Sequence, residues 1–327
     1  MMTSQFWHRM LYVYLALTFA KRNLNKALQL SHLMDILVLF TSHRVEMLPH
    51  FEEEARKRDV IIIEEPKDDK FQRMLNGEIS VDSYVRSIDT SFPVYSKHQC
   101  EVLRRLHAMG KRIYQVDPYL EIIEMIREAV DRGEFENLPK DEKIELVRNT
   151  EKEANLAWLD YQEAFLRKNF DELVEATVRF TKADAERFKV RDRMRAEEIA
   201  RLDVEGDVLV EAGQIHILLP KYLEELGFKV STLNLPETIA RKLGIELYPN
   251  PGNELTKMFM LEEEVDDETA RLMAARGIIY ISIISKDEML PSEENPYPHL
   301  VEENKIAKAV SKLSYEGCKR LFYKIWS

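Results

Sequence analysis

Six short and uninterrupted apolar runs limit the fold of this chain more than any other feature of its sequence. They span residues 35–40, 60–63, 112–116, 207–212, 228–232 and 278–284. The runs are continuous and do not alternate between apolar and polar residues, which is typical of strands covered on both faces. Helical patterns at residues 45–58 and 93–109 separate the early runs. This alternation predicts an α/β fold with a mainly parallel or mixed central sheet flanked by helices.

The middle of the chain has a different pattern. From residue 119 to residue 202 no apolar run resembles a strand, and Leu, Trp, Tyr and Phe recur at spacings of three and four residues. Such spacing predicts helices, so we expect a long helical insert at about 119–203 that sits within the α/β unit as a lid or cap. The predicted units are a helical extension at 1–33, an α/β core at 34–232 and a C-terminal α/β extension at 233–327 that packs on the core.

The composition is that of a globular protein. Hydrophobic residues make up 45% of the 327 residues and charged residues 32%, which excludes a disordered or fibrous chain. The net charge of -11 would repel a phosphate backbone, so we expect no nucleic acid as a partner. The cysteines, Cys100 and Cys318, are too few for a disulfide framework or a zinc–thiolate cluster. They indicate a reducing environment, and we predict a cytoplasmic location.

The apolar segment at residues 11–20 is too short to span a bilayer. It has the length of a signal-peptide core, but Lys21 and Arg22 follow it directly, without a small-residue cleavage site. We therefore predict no membrane span. The segment is expected to be an amphipathic helix, or to result from a start codon placed too early, since Met34 immediately precedes the first strand.

Polar residues follow four of the predicted strands, at the position where open α/β sheets bind their ligands. The four segments are Thr41-Ser42-His43-Arg44, Glu64-Glu65-Pro66, Asp117-Pro118 and Gly213-Gln214-Ile215-His216. The chain has no glycine-rich nucleotide loop, no GxSxG serine motif and no HExxH zinc motif. A nucleotide-binding regulator is therefore the least favoured class, and we expect the site among the residues at the strand ends.

Two histidines and one glutamate among these residues have the chemistry to activate a water molecule. Imidazole and carboxylate groups abstract protons, and they also bind divalent metal ions. His43, Glu64 and His216 are thus candidate catalytic residues and candidate metal ligands. Each also has a structural interpretation, because a histidine after a strand is often only hydrogen-bonded and a glutamate there often caps a helix.

The helix predicted at residues 181–202 places two arginines, Arg191 and Arg195, on its apolar face. Arg191 is a candidate catalytic cation that pairs with Glu64 or with a substrate oxyanion. The alternative is that its stem lies on the core while its guanidinium group pairs with nearby acids or water. We interpret Arg195 as structural.

These residues resemble, in order and type, a superfamily that contains the TraB/PrgY pheromone-shutdown proteins, the Tiki proteins, the ChaN lipoproteins and the erythromycin esterases. In that superfamily a strand leads into a GxxH motif and a second strand ends in Glu. These are followed by a helical insert, then by a helix that carries Arg-Asp or Arg-Asn and ends in Met-Ala, and then by a strand that leads into a second GxxH motif. Here Gly213-Gln214-Ile215-His216 matches the second motif, Glu64 matches the glutamate, and Arg191-Asp192 match the helix with Ala196 in register.

The chain departs from the superfamily pattern at two positions. Phe40 stands where the first motif has glycine, so the backbone before His43 approaches a ligand less closely or turns differently. Met194 lies one place before the expected methionine, and Arg195 occupies the expected place. The resemblance covers about residues 34–226.

The resemblance implies a pocket lined by the two histidines, the glutamate and Arg191. Tiki-like members are metal-dependent peptidases, esterase-like members hydrolyse a macrolide lactone without a metal, and ChaN-like members bind haem. We therefore expect a hydrolase for a small-molecule or peptide substrate, in which His43, Glu64 and His216 activate water directly or through a divalent metal ion. The alternative is a non-catalytic ligand-binding or regulatory protein that uses the same pocket.

The helical insert carries four aromatic side chains that one helix cannot bury, Trp158, Tyr161, Phe165 and Phe170. They are expected either to pack over the sheet or to form a contact between chains. A homo-oligomer is therefore a further prediction.

Overall fold

Five short strands and thirteen α-helices form residues 35–326, the part of the chain that the computed structural model describes. The strands are β1 (Asp35–Thr41), β2 (Val60–Ile63), β3 (Arg112–Gln115), β4 (Val208–Gly213) and β5 (Lys229–Asn234). The helices before β3 are α1 (Leu48–Arg56), α2 (Asp69–Leu75), α3 (Val81–Val85) and α4 (Pro93–Ala108). The insert consists of α5 (Pro118–Asp131), α6 (Glu142–Leu166) and α7 (Phe170–Ile199). The later helices are α8 (Leu219–Glu225), α9 (Leu235–Lys242), α10 (Pro251–Met260), α11 (Asp267–Ile283), α12 (Pro298–Val310) and α13 (Tyr315–Trp326). The extension predicted at residues 1–33 lies outside the described residues.

All five strands are parallel and lie in the order β3-β2-β4-β1-β5. Strand β4, which follows the helical insert, lies between β1 and β2, so that Leu209 faces Leu37 on one side and Ile61 on the other. The two early strands are therefore joined only by a strand that comes about 150 residues later. The predicted α/β fold with a helical insert is confirmed, and its sheet is parallel throughout.

The side chains of each strand alternate between two hydrophobic cores, because successive residues of a strand point to opposite faces of the sheet. Leu39 and Ile61 pack against helices α1 to α4 on one face. Val38 and Ile62 pack against α7 and α8 on the other face. All four side chains are buried, which explains why the runs are apolar without interruption.

Helices α6 and α7 form a long hairpin that belongs to the insert. Asp141 caps the N-terminus of α6 and Asn169 caps that of α7, each through its side-chain oxygen. The C-terminal end of α7 packs on the sheet through Ala196 and Ile199. Its N-terminal end packs against α10, α11 and α13 in a separate core. Helix α7 therefore connects the sheet to the C-terminal helices and is not a detached lid.

The strand predicted at residues 278–284 is wrong. All but its last residue lie in α11, where Ile278 and Ile279 are buried against α7 and other C-terminal helices. A short apolar run does not distinguish a buried strand from a helix that is covered on most of its sides. Residues 235–326 hold no strand, so the described part of the C-terminal extension is helical and not α/β. Within residues 35–326, no helix is both long and apolar enough to cross a membrane, and the apolar segment at residues 11–20 lies outside the described residues.

Candidate functional site

Five charged side chains meet at the carboxyl edge of the sheet. Glu64 follows β2, Asp117 follows β3 and His216 follows β4, while Arg191 and Asp192 come from the C-terminal part of α7. Because the strands are parallel, their carboxyl ends lie at the same edge, where α/β sheets bind ligands. Glu64, Asp117, Asp192 and His216 are each at most 9% exposed, so the charges interact with one another more strongly than they would in water.

Glu64 is bound on both of its carboxylate oxygens. Oε1 accepts a hydrogen bond from Nη2 of Arg191 at 2.8 Å and contacts Nε2 of His216 at 2.8 Å. Oε2 accepts from the backbone N–H of Gly213 at 2.7 Å. Burial alone would raise the pKa of Glu64, but the cations His216 and Arg191 hold it well below its usual range. Glu64 is therefore an ionised carboxylate whose two oxygens both already accept from donors.

His216 lies between two carboxylates. Its Nδ1 binds Oδ1 of Asp192, whose Oδ2 accepts from the backbone N–H of Leu218 at 3.1 Å. Its Nε2 binds Glu64. Burial would lower the pKa of His216, but Glu64 and Asp192 raise it to about 9. At neutral pH the ring is an imidazolium, and both of its nitrogens donate.

Arg191 joins Glu64 to Asp117. Its Nε donates to Oδ2 of Asp117 at 2.8 Å, and Oδ1 of the same carboxylate caps α5 by accepting from the N–H of Leu120 at 3.1 Å. Burial opposes the charge of Arg191, but Asp117 and Glu64 raise its pKa. The side chain is still 16% exposed, so part of it reaches solvent.

Arg195 is fully buried and holds two strand ends together. Its Nε donates to the carbonyl of Val116 at 2.9 Å, and its Nη2 donates to the carbonyl of Glu211 at 2.6 Å. Its Nη1 has no hydrogen-bond partner among residues 35–326 and lies 3.5 Å from Oε2 of Glu64. These contacts agree with the structural interpretation of Arg195 from the sequence.

His43 lies at the same edge but outside this charge network. Its ring stacks on Tyr95 at a centroid distance of 5.3 Å and meets the edge of Phe92 at 5.8 Å. Burial lowers the pKa of His43; Glu64 opposes this shift, and the nearby cations Arg191 and His216 add to it. The ring is therefore neutral at neutral pH. In the described part of the chain, neither ring nitrogen has a hydrogen-bond partner, so a lone pair is free.

Two further glutamates near this edge have raised pKa values. Burial, together with the neighbouring carboxylates Glu211 and Glu64, raises the pKa of Glu65 to about 8. Burial raises the pKa of Glu211 to about 7, although the hydrogen bond that Tyr95 donates to it at 3.0 Å acts to lower this pKa. Gln99 donates to the same carboxylate at 3.1 Å. Glu65 is half-buried and largely a neutral acid at neutral pH.

The three predicted metal ligands do not fit a divalent ion in this arrangement. Both nitrogens of His216 donate to carboxylates, and both oxygens of Glu64 already accept from donors. A metal ion needs a lone pair on a ligand nitrogen, and the imidazolium of His216 has none. Nor do residues 35–326 gather three or more His, Cys, Asp or Glu side chains in a way that could hold a metal ion. Of the two histidines, His43 is the one with a lone pair on its ring.

The structure brings three of the four predicted site residues into direct contact. Glu64 binds Arg191, as the sequence led us to expect, and His216 binds the same carboxylate, whereas His43 stands apart from them. The sequence placed Glu65 and Asp117 at strand ends and Asp192 beside Arg191 but assigned them no role, and it did not point to Tyr95 or Glu211. A charge inside an apolar strand was a signal for Glu211, and a position directly after a strand was a signal for Asp117. Tyr95 lies on a helix distant in sequence and gave no signal.

A comparison with known proteins shows one family relationship. Over 290 residues, which are 89% of this chain and 98% of the relative, the chain is 41% identical to an uncharacterized protein of Archaeoglobus fulgidus. No family model and no solved structure matches the chain. The long alignment at this identity shows that the chain belongs to the same family as the archaeal protein.

Proposed function

We propose that this edge of the sheet is the active site of a cytoplasmic hydrolase that cleaves an ester or amide bond in a small-molecule or peptide substrate. The observation that carries the proposal is the difference between the two histidines in charge and in hydrogen-bond partners. His216 and Glu64 are bound to each other and to further partners. His43, with its neutral ring and no hydrogen-bond partner among residues 35–326, is the general base. This assignment differs from the expectation that Glu64 activates the water.

The arrangement supports attack by water on a carbonyl carbon. His43 takes a proton from the water, since a neutral imidazole with a free lone pair is suited to this step. The guanidinium group of Arg191 then stabilises the oxyanion that forms on the carbonyl oxygen. Asp117 and Glu64 hold the guanidinium group of Arg191 in place, and its side chain is partly exposed. The cation is thus in place before the charge develops, and no reorganisation is needed.

Glu65 supplies the acid for the second half of the reaction. The group that leaves the tetrahedral intermediate needs a proton, and a carboxylic acid with a pKa near 8 carries one at neutral pH. Glu65 directly follows Glu64 at the same edge of the sheet and is half-buried, so it is a candidate donor of that proton. A lowered pKa on His43 and a raised one on Glu65 make base and acid available over the same pH range.

The test is turnover of a panel of esters and peptides by the purified chain and two variants. His43→Ala is expected to lower kcat/KM by about 10²- to 10⁴-fold, the usual contribution of a general base. Glu65→Gln is expected to lower kcat and to remove the decline of the rate above pH 8. His98→Ala, on an exposed part of α4, is the matched control and should leave the rate unchanged. A His43→Ala protein with full activity would refute the assignment.

A metal-dependent form of the same reaction competes with this assignment. It requires Glu64 and His216 to separate so that both become ligands together with His43. Prolonged treatment with a chelator would then abolish turnover, and added divalent ions would restore it. With His43 as the base, we expect chelation to leave turnover unchanged.

The second candidate is a ligand-binding or regulatory protein that uses the same pocket without turnover. The contact between Glu64 and His216 favours it, because a buried hydrogen-bonded network rigidifies a site and need not react. Phe40 in place of the motif glycine also favours it. A molecule that co-purifies and is lost in Arg191→Met, together with an inactive panel, would support this candidate against the hydrolase.

A further inference from the structure

The solvent face of α6 carries a regular stripe that no other helix of the described chain covers. Residues spaced alternately by three and four positions form it: Asn149, Lys152, Leu156, Leu159, Glu163 and Leu166. All six are exposed, whereas Val147, Ala154 and Ala164 on the opposite face are buried. The alternation of three and four is the spacing with which helices pair along a seam. The stripe therefore has the form of a helix–helix contact surface.

The stripe carries three exposed leucines, two at its centre and one at its end. Leu156 is 49% exposed, Leu159 is 53% exposed and Leu166 is 78% exposed. Lys152 and Glu163 lie on either side of the central leucines. Apolar side chains rimmed by charges are typical of a surface that another protein covers.

We propose that the α6 stripe, residues 149–166, docks on the same stripe of a second copy of this chain, with the two helices antiparallel. The charge order along the stripe selects this occupant and this direction. A two-fold axis passing between residues 157 and 158 brings together residues equally far from it. Leu156 then lies against the partner's Leu159, and Lys152 lies against the partner's Glu163. Each contact occurs twice, as symmetry requires.

The parallel alternative is disfavoured by the same residues. In a parallel two-fold pair, each residue meets its own counterpart, so that Lys152 would face the partner's Lys152 and Glu163 the partner's Glu163. Like charges at a contact repel, whereas the antiparallel pair matches opposite charges at both places. At the rim of the antiparallel pair, Glu153 faces the partner's Asp160, but Arg179 binds that aspartate at 3.3 Å within each copy. This intrachain ion pair reduces the repulsion between Glu153 and the partner's Asp160.

The first test is the mass of the full-length chain in solution, measured by light scattering and sedimentation equilibrium over a range of concentrations. We expect a dimer that the double variant Leu156→Glu/Leu159→Glu converts to a monomer with an unchanged circular dichroism spectrum, because both leucines are exposed. Leu290→Glu, at an equally exposed leucine outside the stripe, is the matched control and should remain dimeric. A monomer at every concentration, or a dimer that survives the double variant, would overturn the proposal. A wild-type monomer in which residues 1–34 protect the stripe would also overturn the proposal.

The second test addresses the direction of pairing. Lys152→Glu should weaken the dimer by about tenfold or more, since it places a second carboxylate against the partner's Glu163 at two points. Adding Glu163→Lys should restore the dissociation constant to near its original value. A parallel pair would show no such rescue, because both variants would still bring like charges together.

The third test uses the wild-type chain alone. A carbodiimide joins an amine to a carboxylate without a spacer, so an amide between Lys152 and Glu163 requires the two groups to touch. Within one helix they are 11 positions, or about 16 Å, apart and cannot react with each other. In a mixture of ordinary and ¹⁵N-labelled protein, we expect the cross-linked peptide pair to contain one chain of each kind. Absence of this pair in the dimer fraction would overturn the register.

Discussion

Replacing Asp192 with Asn tests the charge network at its most buried point. Asp192 is fully buried, and its two oxygens bind the ring of His216 and the backbone N–H of Leu218. The amide of Asn keeps the size of the side chain and retains one acceptor, but it removes the negative charge beside an imidazolium. The buried cation is then balanced on one side only, by Glu64.

The size of the effect follows from the proton on His216. The pKa of His216 is raised from 6.5 to about 9, and a shift of this size corresponds to roughly 3 kcal/mol of stability. Because the folded-state pKa is the higher one, this contribution is fully present below pH 6.5 and is lost as the pH rises through 9. Removing one partner of a buried ion pair costs about 3 to 5 kcal/mol, so Asp192→Asn should lose about 3 kcal/mol at pH 6. At pH 10, where His216 is neutral in the wild type, the loss should shrink to about 1 kcal/mol.

Urea unfolding of the wild type and the variant at pH 6 and pH 10 measures this difference, with the pKa of His216 followed by NMR in both. Asp89→Asn is the matched control, since Asp89 is 82% exposed and its contact with Arg127 should contribute less than about 1 kcal/mol at either pH. A loss for Asp192→Asn that is equal at both pH values would refute the assigned charge on His216. A loss below about 1 kcal/mol at pH 6 would refute it as well.

Three further predictions concern buried or tightly packed positions of the chain. Arg195→Met should destabilise the chain by about 2 to 4 kcal/mol in denaturant unfolding, because two buried carbonyls lose their donors. Gly213→Ala should cost less than about 1 kcal/mol, since the nearest atoms to the new Cβ lie at 3.5 Å and 3.6 Å. Gly206→Ala should cost more than about 2 kcal/mol, because the φ of Gly206 is +100° and a carboxylate oxygen of Asp59 would lie 2.5 Å from the new Cβ. The thiols of Cys100 and Cys318 are buried, with pKa values raised to about 12 and about 11, so a disulfide reagent at pH 8 should react with them only after unfolding.

The sequence predicted the sheet well because its strands are buried on both faces. Continuous apolar runs such as residues 60–63 and 207–212 are typical of strands that are covered on both faces. The structure has strands at both places. The same signal failed at residues 278–284, where neighbouring helices cover an equally apolar helix. The order of the strands was not predictable, because the pairing of β4 with both β1 and β2 depends on contacts more than 140 residues apart in the chain.

The candidate site was predictable where a strand end marked it. Glu64 and His216 follow strands, and the parallel sheet brings them together. What the sequence did not specify was the protonation of each group. Glu64 and Glu65 are neighbours in the chain, yet the first is ionised beside two cations, and the second is largely protonated among carboxylates. That difference arises from side chains of α7 and β4, which only the folded chain places nearby.

The helical insert is part of the site and not an accessory to it. Arg191, Asp192 and Arg195 lie within two turns of α7, and together they bind the ends of β2, β3 and β4 through side chains or backbone. Three cations and three buried carboxylates balance there only when α7 is in place. Removal of the insert would take the Arg191 partner from both Glu64 and Asp117. The insert and the sheet edge are therefore expected to unfold as one cooperative unit.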